Sequence, residues 1–189
     1  MVFAVSRKGV NKESPKLVQI FADMHNVEEK IKDIRVDVLF SCIGSTQAKS
    51  PNKDEYYKID HDYPILVSTL LKKNGCNAVC LVSSIGANAQ SKNFYLRLKG
   101  QVEQSIMALG FESTYIFRPS LLMGKRKEHR LLETVTQKLS PLFNMLMIGP
   151  WRNFKSISAE SVARAMIHTA SLRTSGVHIY QTEEIKKLA

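Results

Sequence analysis

Short apolar runs alternate along the chain with segments whose apolar residues recur at helical spacing. The apolar runs predict strands at residues 2 to 5, 17 to 21, 36 to 42, 78 to 83, 114 to 117 and 177 to 180. Helices are predicted at 27 to 34, 61 to 73, about 95 to 109, 131 to 139, 158 to 170 and 183 to 188, while the polar stretch at 50 to 57 predicts a loop. Strands that are nearly all apolar and alternate with helices indicate an α/β fold, with a mostly parallel sheet covered on both faces.

Length and composition fit one soluble domain spanning residues 1 to 189. Apolar residues make up 44% and charged residues 23% of the 189 residues. No apolar run approaches the roughly 20 residues needed to cross a membrane, and the apolar run at the N-terminus is too short for a secretory signal. We therefore expect a cytoplasmic protein without a membrane span. Cys42 and Cys80 lie in apolar runs and, with Cys76, lack metal-ligand spacing, so we expect reduced, buried thiols and no metal site.

Candidate chemistry is concentrated between residues 81 and 99. This stretch begins as a strand, continues through Ser83 and Ser84, and enters a helix that carries Tyr95 and Lys99. Residues four apart lie on the same helix face, about 6 Å apart along the axis. An ammonium group beside a phenol favours the phenolate, and a serine hydroxyl can hold a reacting oxygen, which suits proton transfer at a carbonyl or carbinol. A chance Y-x-x-x-K in an amphipathic helix is the alternative.

Polar or conformationally special residues follow several of the predicted strands. They are Arg7, Asp23, Gly44, Ser84 and Pro119. In open parallel sheets, ligands bind beyond the carboxyl ends of the strands. The sequence therefore predicts a ligand site at this edge.

The sequence resembles the short-chain dehydrogenase/reductase superfamily, in its atypical NAD(P)H-binding branch typified by the Tat-interacting-protein oxidoreductase. The resemblance rests on SCIGST at 41 to 46, on IDHDYPILVSTLLKKNGCNAVCLVSSIGA at 59 to 87, on YLRLKGQVE at 95 to 103, on YIFRPSLLMG at 115 to 124 and on SISAESVARAM at 156 to 166. It covers nearly the whole chain. It implies a Rossmann-like, doubly wound domain, with substrate-side elements mainly at 120 to 189.

The resemblance also implies roles for individual residues. Tyr95 would be the general acid/base, Lys99 would favour its phenolate and hold the nicotinamide ribose, and Ser84, or less favourably Ser83, would orient the substrate oxygen. The other implied cofactor-binding residues are Arg7, Asp23, Cys42, Gly44, Ser45 and Pro119.

A basic residue after the first strand suits a 2′-phosphate, so Arg7 favours NADP over NAD. Asp23 would lie near the adenine, with loop capping as the equally weighted alternative. The implied partners are a small-molecule substrate and, since the helix carrying Tyr95 often packs on its copy in this superfamily, a second copy of the chain.

One family feature has no counterpart. The superfamily begins with a strand, a glycine-rich turn and a helix, whereas Gly9 is the single glycine in the first 40 residues. The first βα unit of the family is therefore missing, and with it the turn that would bind the pyrophosphate. Because the absent strand is central in the order 3-2-1-4-5-6, three alternatives follow: the sheet closes up, another chain supplies a strand, or the natural protein has residues upstream.

Three functions compete. The first is an NADP-dependent oxidoreductase acting on a carbonyl or hydroxyl compound. The second is a non-catalytic binding or regulatory module on the same scaffold. The third is nucleic-acid binding through the basic run at 125 to 130, to which the formal charge of +10 contributes; a solvated face is the favoured interpretation, and no specific nucleic-acid partner is expected.

Overall fold

The computed structural model describes residues 1 to 45, 52 to 123 and 155 to 189. The strands are β1 (Val2–Ser6), β2 (Leu17–Phe21), β3 (Val38–Ser41), β4 (Ala78–Val82), β5 (Ser113–Arg118), β6 (Leu122–Met123), β7 (Ile157–Ser158) and β8 (Gly176–Gln181). The α-helices are α1 (Val27–Ile31), α2 (Lys53–Tyr57), α3 (Tyr63–Lys73), α4 (Phe94–Ala108), α5 (Ala159–Leu172) and α6 (Thr182–Leu188), and a π-helical turn (Lys58–Asp62) joins α2 to α3. The predicted helix at 131 to 139 and the basic run at 125 to 130 lie outside the described residues.

The main sheet is parallel and has the strand order β3-β4-β5-β8. Its register places Ser41 opposite Leu81, and Val82 opposite Phe117. The carboxyl ends of β3, β4 and β5 therefore meet at one edge. This arrangement confirms the α/β class predicted from the alternating pattern and the Rossmann-like fold implied by the family resemblance.

Helices cover both faces of the main sheet because successive strand residues point to opposite sides. Val79 and Leu81 of β4 pack into a cluster with residues of α1, α3 and α4. Cys80, between them, packs on the other side with residues of α5 and α6. Ser158 begins α5 as predicted, since its hydroxyl accepts a 3.0 Å hydrogen bond from the Ser161 amide.

The first two strands form a separate parallel sheet. β1 pairs with β2, and within the described residues neither is hydrogen-bonded to β3. Val5 of β1, Ile20 of β2 and Leu39 of β3 nevertheless pack against the same cluster. Phe40, on the opposite face of β3, is 44% exposed. Closing of the sheet by direct pairing of the first and third strands, one of the three alternatives, is therefore wrong for the described residues.

The predicted loop at 50 to 57 is wrong over α2. The Asn52 side chain accepts a 2.8 Å hydrogen bond from the Asp54 amide and so caps this helix. Asp54 and Glu55 in the first turn add favourable charge at the helix N-terminus. Local capping here outweighs the polar composition on which the loop prediction rested.

A π-helical turn follows α2 because Pro64 interrupts the regular ladder. Proline has no N–H to donate to the carbonyl four residues earlier, here that of Asp60, and its ring crowds that carbonyl. The wider turn relieves the conflict and lets the helix continue into α3. It also directs Asp60 into the interior, where that residue is 1% exposed. Such turns are frequent at functional sites.

Candidate functional site

Tyr95 and Lys99 lie side by side on α4, as their spacing predicts. Asn93 caps this helix by accepting a 3.1 Å hydrogen bond from the Leu96 amide, which fixes the start of the turn that carries both residues. The Lys99 ammonium is 5.9 Å from the centroid of the Tyr95 ring. Lys99 is 6% exposed and Tyr95 is 39% exposed. The pair thus consists of a buried cation beneath an accessible phenol.

Asp60 is the buried anion that faces Lys99, and sequence reasoning missed it. Its Oδ2 atom lies 3.2 Å from the Lys99 ammonium nitrogen. The contact is an ion pair rather than a well-directed hydrogen bond, since Oδ2 has no hydrogen-bond partner among the described residues. The signal that could have found it is Pro64 four residues later, which marks an irregular turn within an otherwise regular helix.

The two serines after β4 have different environments. Ser83 is buried, and its hydroxyl donates a 2.5 Å hydrogen bond to Glu103 Oε1. Ser84 is half-buried, and its hydroxyl donates a 3.3 Å bond to the Ile85 carbonyl. Ser84 thus has the more available hydroxyl, which favours it over Ser83 for contact with a ligand.

A second buried ion pair lies behind the serines, and sequence reasoning missed this one as well. The Glu103 carboxylate accepts hydrogen bonds from Arg118 Nε at 2.9 Å and Nη2 at 2.5 Å. These bonds raise the pKa of the Arg118 guanidinium. The pair joins α4 to the end of β5, next to Pro119. Pro119 is buried, and its carbonyl accepts a 3.0 Å bond from the Ile85 amide.

The segment after β3 contacts the Asp60 and Lys99 pair. The Ser45 amide donates a 2.5 Å hydrogen bond to Asp60 Oδ1. A Cβ atom placed on Gly44 would lie 3.8 Å from both Asp60 Oδ2 and the Lys99 nitrogen, so the backbone passes directly over the ion pair. Cys42 is exposed, which makes the expectation of a buried thiol wrong for it; it follows the last paired residue of β3 and is outside the ladder.

Arg7 and Asp23 follow the paired ends of β1 and β2, and both are close enough to Tyr63 to affect its hydroxyl. Burial raises the pKa of the Tyr63 hydroxyl, Asp23 raises it further, and Arg7 lowers it, so both charges act on this phenol. The Asp23 carboxylate accepts hydrogen bonds from the His25 amide at 2.9 Å and the Asn26 amide at 3.2 Å. Asp23 therefore has the loop-capping role that was its alternative, and its contact with adenine stays a prediction.

Buried polar atoms without a hydrogen-bond partner cluster at the carboxyl edge of β3. Among the described residues they are the Ser41 hydroxyl, Asp60 Oδ2 and the Tyr63 hydroxyl. Buried polar groups are normally satisfied, so the Ser41 and Tyr63 hydroxyls call for a partner, whereas Asp60 Oδ2 already lies against the Lys99 ammonium. The two unpaired hydroxyls are compatible with a polar ligand at this edge.

No known protein-family profile matches the chain, but curated sequences do. It is 34% identical over 168 residues to "Protein FMP52, mitochondrial" of Candida albicans, covering 85% of this chain and 72% of the relative. It is 34% identical to the Eremothecium gossypii protein of that name over 68% of this chain and 57% of the relative. The Candida glabrata protein is 45% identical over 48% of this chain and 39% of its own length. The chain thus spans about half the length of several curated relatives.

Solved structures with the same fold include proteins in complex with NAD+ or NADPH. WbmH of Bordetella bronchiseptica in complex with NAD+ has a TM-score of 0.68 at 16% identity, covering 98% of this chain and 69% of that chain. Human epimerase family protein SDR39U1 with NADPH has a TM-score of 0.61 at 15% identity, and the match covers 94% of this chain and 64% of that chain. At these identities the likeness establishes the fold.

The location predicted from the sequence is contradicted by these relatives. We expected a cytoplasmic protein, whereas the curated relatives are named as mitochondrial. The prediction rested on the apolar run at the N-terminus being too short for a secretory signal, and that observation does not distinguish a cytoplasmic from a mitochondrial protein. Within the described ranges, no helix has the length and apolar character needed to span a membrane.

Proposed function

The chain belongs to the FMP52 family, and we propose that it is a mitochondrial, NADP-dependent oxidoreductase of the atypical short-chain dehydrogenase/reductase branch. Its substrate would be a small carbonyl or hydroxyl compound. The observation that carries this proposal is the exposed Tyr95 phenol lying over the buried Lys99 ammonium, at the edge where the strands end. This edge is where ligands bind in open α/β sheets.

The chemistry of the proposed reaction is divided between cofactor and protein. A bound nicotinamide would supply or accept the hydride. Tyr95 would give its phenolic proton to the carbonyl oxygen during reduction, or take it from the hydroxyl during oxidation. Lys99 would stabilise the phenolate that results, and the Ser84 hydroxyl would hold the reacting oxygen in place.

The cofactor contacts are proposed along the carboxyl edge. Arg7 would pair with a 2′-phosphate, and the backbone at Gly44 and Ser45 would pass beneath the cofactor. Lys99 would also bind the nicotinamide ribose, while the backbone after Pro119 would face the carboxamide. Asp23 is proposed to lie near the adenine of the cofactor. Cys42, in the segment after β3, is proposed as a further cofactor contact.

One observation favours a second candidate, a non-catalytic binding or regulatory module. β1 and β2 are not hydrogen-bonded to the main sheet in the described residues. A scaffold whose sheets are separated in this way would hold a dinucleotide by fewer contacts. Its function would then depend on binding a partner or a substrate without a cofactor.

Titration with NADPH separates the two candidates. We expect NADPH fluorescence to change saturably, with NADPH bound at least tenfold more tightly than NADH. In Arg7→Glu this preference should be lost, whereas the matched change Lys12→Glu, at another exposed basic residue, should retain it. No binding at millimolar NADPH would exclude the oxidoreductase. Oxidation of NADPH by any member of a panel of aldehydes and ketones would exclude the non-catalytic module.

A further inference from the structure

We propose that Asp60 is a positioning residue that fixes the Lys99 ammonium beneath Tyr95 and ties it to the backbone segment after β3. The proposal rests on the proposed function, because it names how that site is held together. The family resemblance implies no role for Asp60, although the residue lies within the matching segment 59 to 87.

Asp60 joins three separate parts of the fold through its two carboxylate oxygens. Oδ1 accepts the 2.5 Å hydrogen bond from the Ser45 amide, while Oδ2 lies 3.2 Å from the Lys99 nitrogen. The carboxylate thus links the loop after β3, the π-helical turn and α4. Gly44 lies next to both charged groups, since a Cβ atom built on it would be 3.8 Å from Asp60 Oδ2 and from the Lys99 nitrogen.

The burial of the pair explains why each partner depends on the other. The side chains of Asp60 and Lys99 are 0% and 8% exposed. A buried ammonium without a counterion loses its proton more readily, whereas a neighbouring carboxylate keeps it charged. Asp60 would therefore balance the buried charge of Lys99 and hold its ammonium in place beneath Tyr95.

Tyr56 provides an independent sign that these charges share one environment. Burial raises the pKa of its hydroxyl, and the charges of Asp60 and Tyr95 raise it further. Tyr56 also packs its ring against Phe94, with the centroids 5.8 Å apart. Asp60 and Tyr95, the two titratable groups that contact Lys99 within the described part of the chain, therefore both act on Tyr56 as well.

The test follows the ionisation of Lys99 in the full chain without cofactor. Protein labelled with 13C at the lysine ε-carbons is titrated by NMR, and the Lys99 signal is assigned by its loss in Lys99→Arg. In Asp60→Asn we expect the midpoint of the Lys99 titration to fall by about one pH unit or more. The control is Asp62→Asn, a nearby carboxylate whose side chain is 46% exposed and pairs with His61. It should leave the Lys99 midpoint within about 0.3 pH units of the parent, because an exposed charge is screened by solvent.

A Lys99 midpoint in Asp60→Asn equal to that of the parent would overturn the proposal. If Asp60→Asn does not fold, the double variant Asp60→Asn/Lys99→Met decides, because removing both charges leaves no unpaired buried ion. We expect the double variant to fold and to unfold cooperatively on heating. A double variant that also fails to fold would overturn the proposal. Because these measurements need no cofactor, their failure is distinguishable from a failure of NADPH to bind.

Discussion

Gly100 is the position where a single methyl group should disturb the candidate site most. It follows Lys99 on α4 and lies against the backbone of the loop between β4 and α4. A Cβ atom at Gly100 would lie 2.2 Å from the Ala89 nitrogen and 2.4 Å from the Asn88 carbonyl carbon. Ordinary contacts begin near 3.4 Å, so α4 and this loop would have to separate by about 1.2 Å. Because both neighbours are backbone atoms, no side-chain rotation can relieve the contact.

The cost of Gly100→Ala can be assigned from these distances. Overpacking of a well-packed site costs roughly 1 to 3 kcal/mol, and the backbone contact places this case at the upper end, about 3 kcal/mol. Alanine is favoured over glycine within a helix by about 1 kcal/mol, which leaves a net loss of about 2 kcal/mol. For a chain of this length that loss lowers Tm by about 4 to 8 °C.

Thermal unfolding followed by circular dichroism measures this loss. The control is Gln104→Ala, at an exposed residue of the same helix, which should stay within about 0.5 kcal/mol of the parent. A displacement near 1 Å beside Lys99 should also lower any kcat/KM by about 100-fold. A Gly100→Ala protein that melts at or above the parent temperature would refute the reasoning.

Three further predictions follow from buried groups. Glu103→Gln should lower the free energy of unfolding by about 3 kcal/mol, because it leaves the Arg118 guanidinium without its carboxylate; a loss below about 1 kcal/mol in urea unfolding would contradict this. A thiol reagent at pH 8 should modify Cys42 in the folded protein, because Cys42 is exposed even though partial desolvation raises the pKa of its thiol. Cys80 is buried, which raises its pKa to about 12, so it should react only after unfolding; equal rates would contradict the assignment. Burial raises the pKa of Tyr56, so above about pH 10 the unfolded phenol ionises while the folded one keeps its proton. Stability should therefore fall as the pH rises, and less steeply in Tyr56→Phe; equal slopes in alkaline urea unfolding would count against this.

The strand pattern and the Tyr95 and Lys99 pair could be predicted because each rests on local periodicity. Apolar runs identify strands of a covered sheet, and a spacing of four places two side chains on one helix face. The structure bears out both. The capping role of Ser158 could be predicted for the same reason, since a capping hydroxyl binds an amide within three residues of its own position.

Local periodicity could not predict the two ion pairs of Asp60 and Glu103, nor the helix α2, and the reasons differ. Asp60 and Glu103 find their partners 39 and 15 residues away along the chain, so no local pattern announces either ion pair. The polar composition of 50 to 57 concealed a helix that capping stabilises. For Cys42 the prediction was wrong for another reason. Its apolar neighbours in the sequence predicted that it belongs to a buried strand, but β3 ends at Ser41, one residue earlier.

Binding of NADPH at the Tyr95 and Lys99 pair is the central claim. Its most direct test is a titration of the parent protein with NADPH, observed through the 13C ε-carbon signal of Lys99. We predict a saturable shift of this signal, with half-saturation below millimolar NADPH. A Lys99 signal that stays unchanged up to millimolar NADPH, whether or not the cofactor binds elsewhere, would contradict the account.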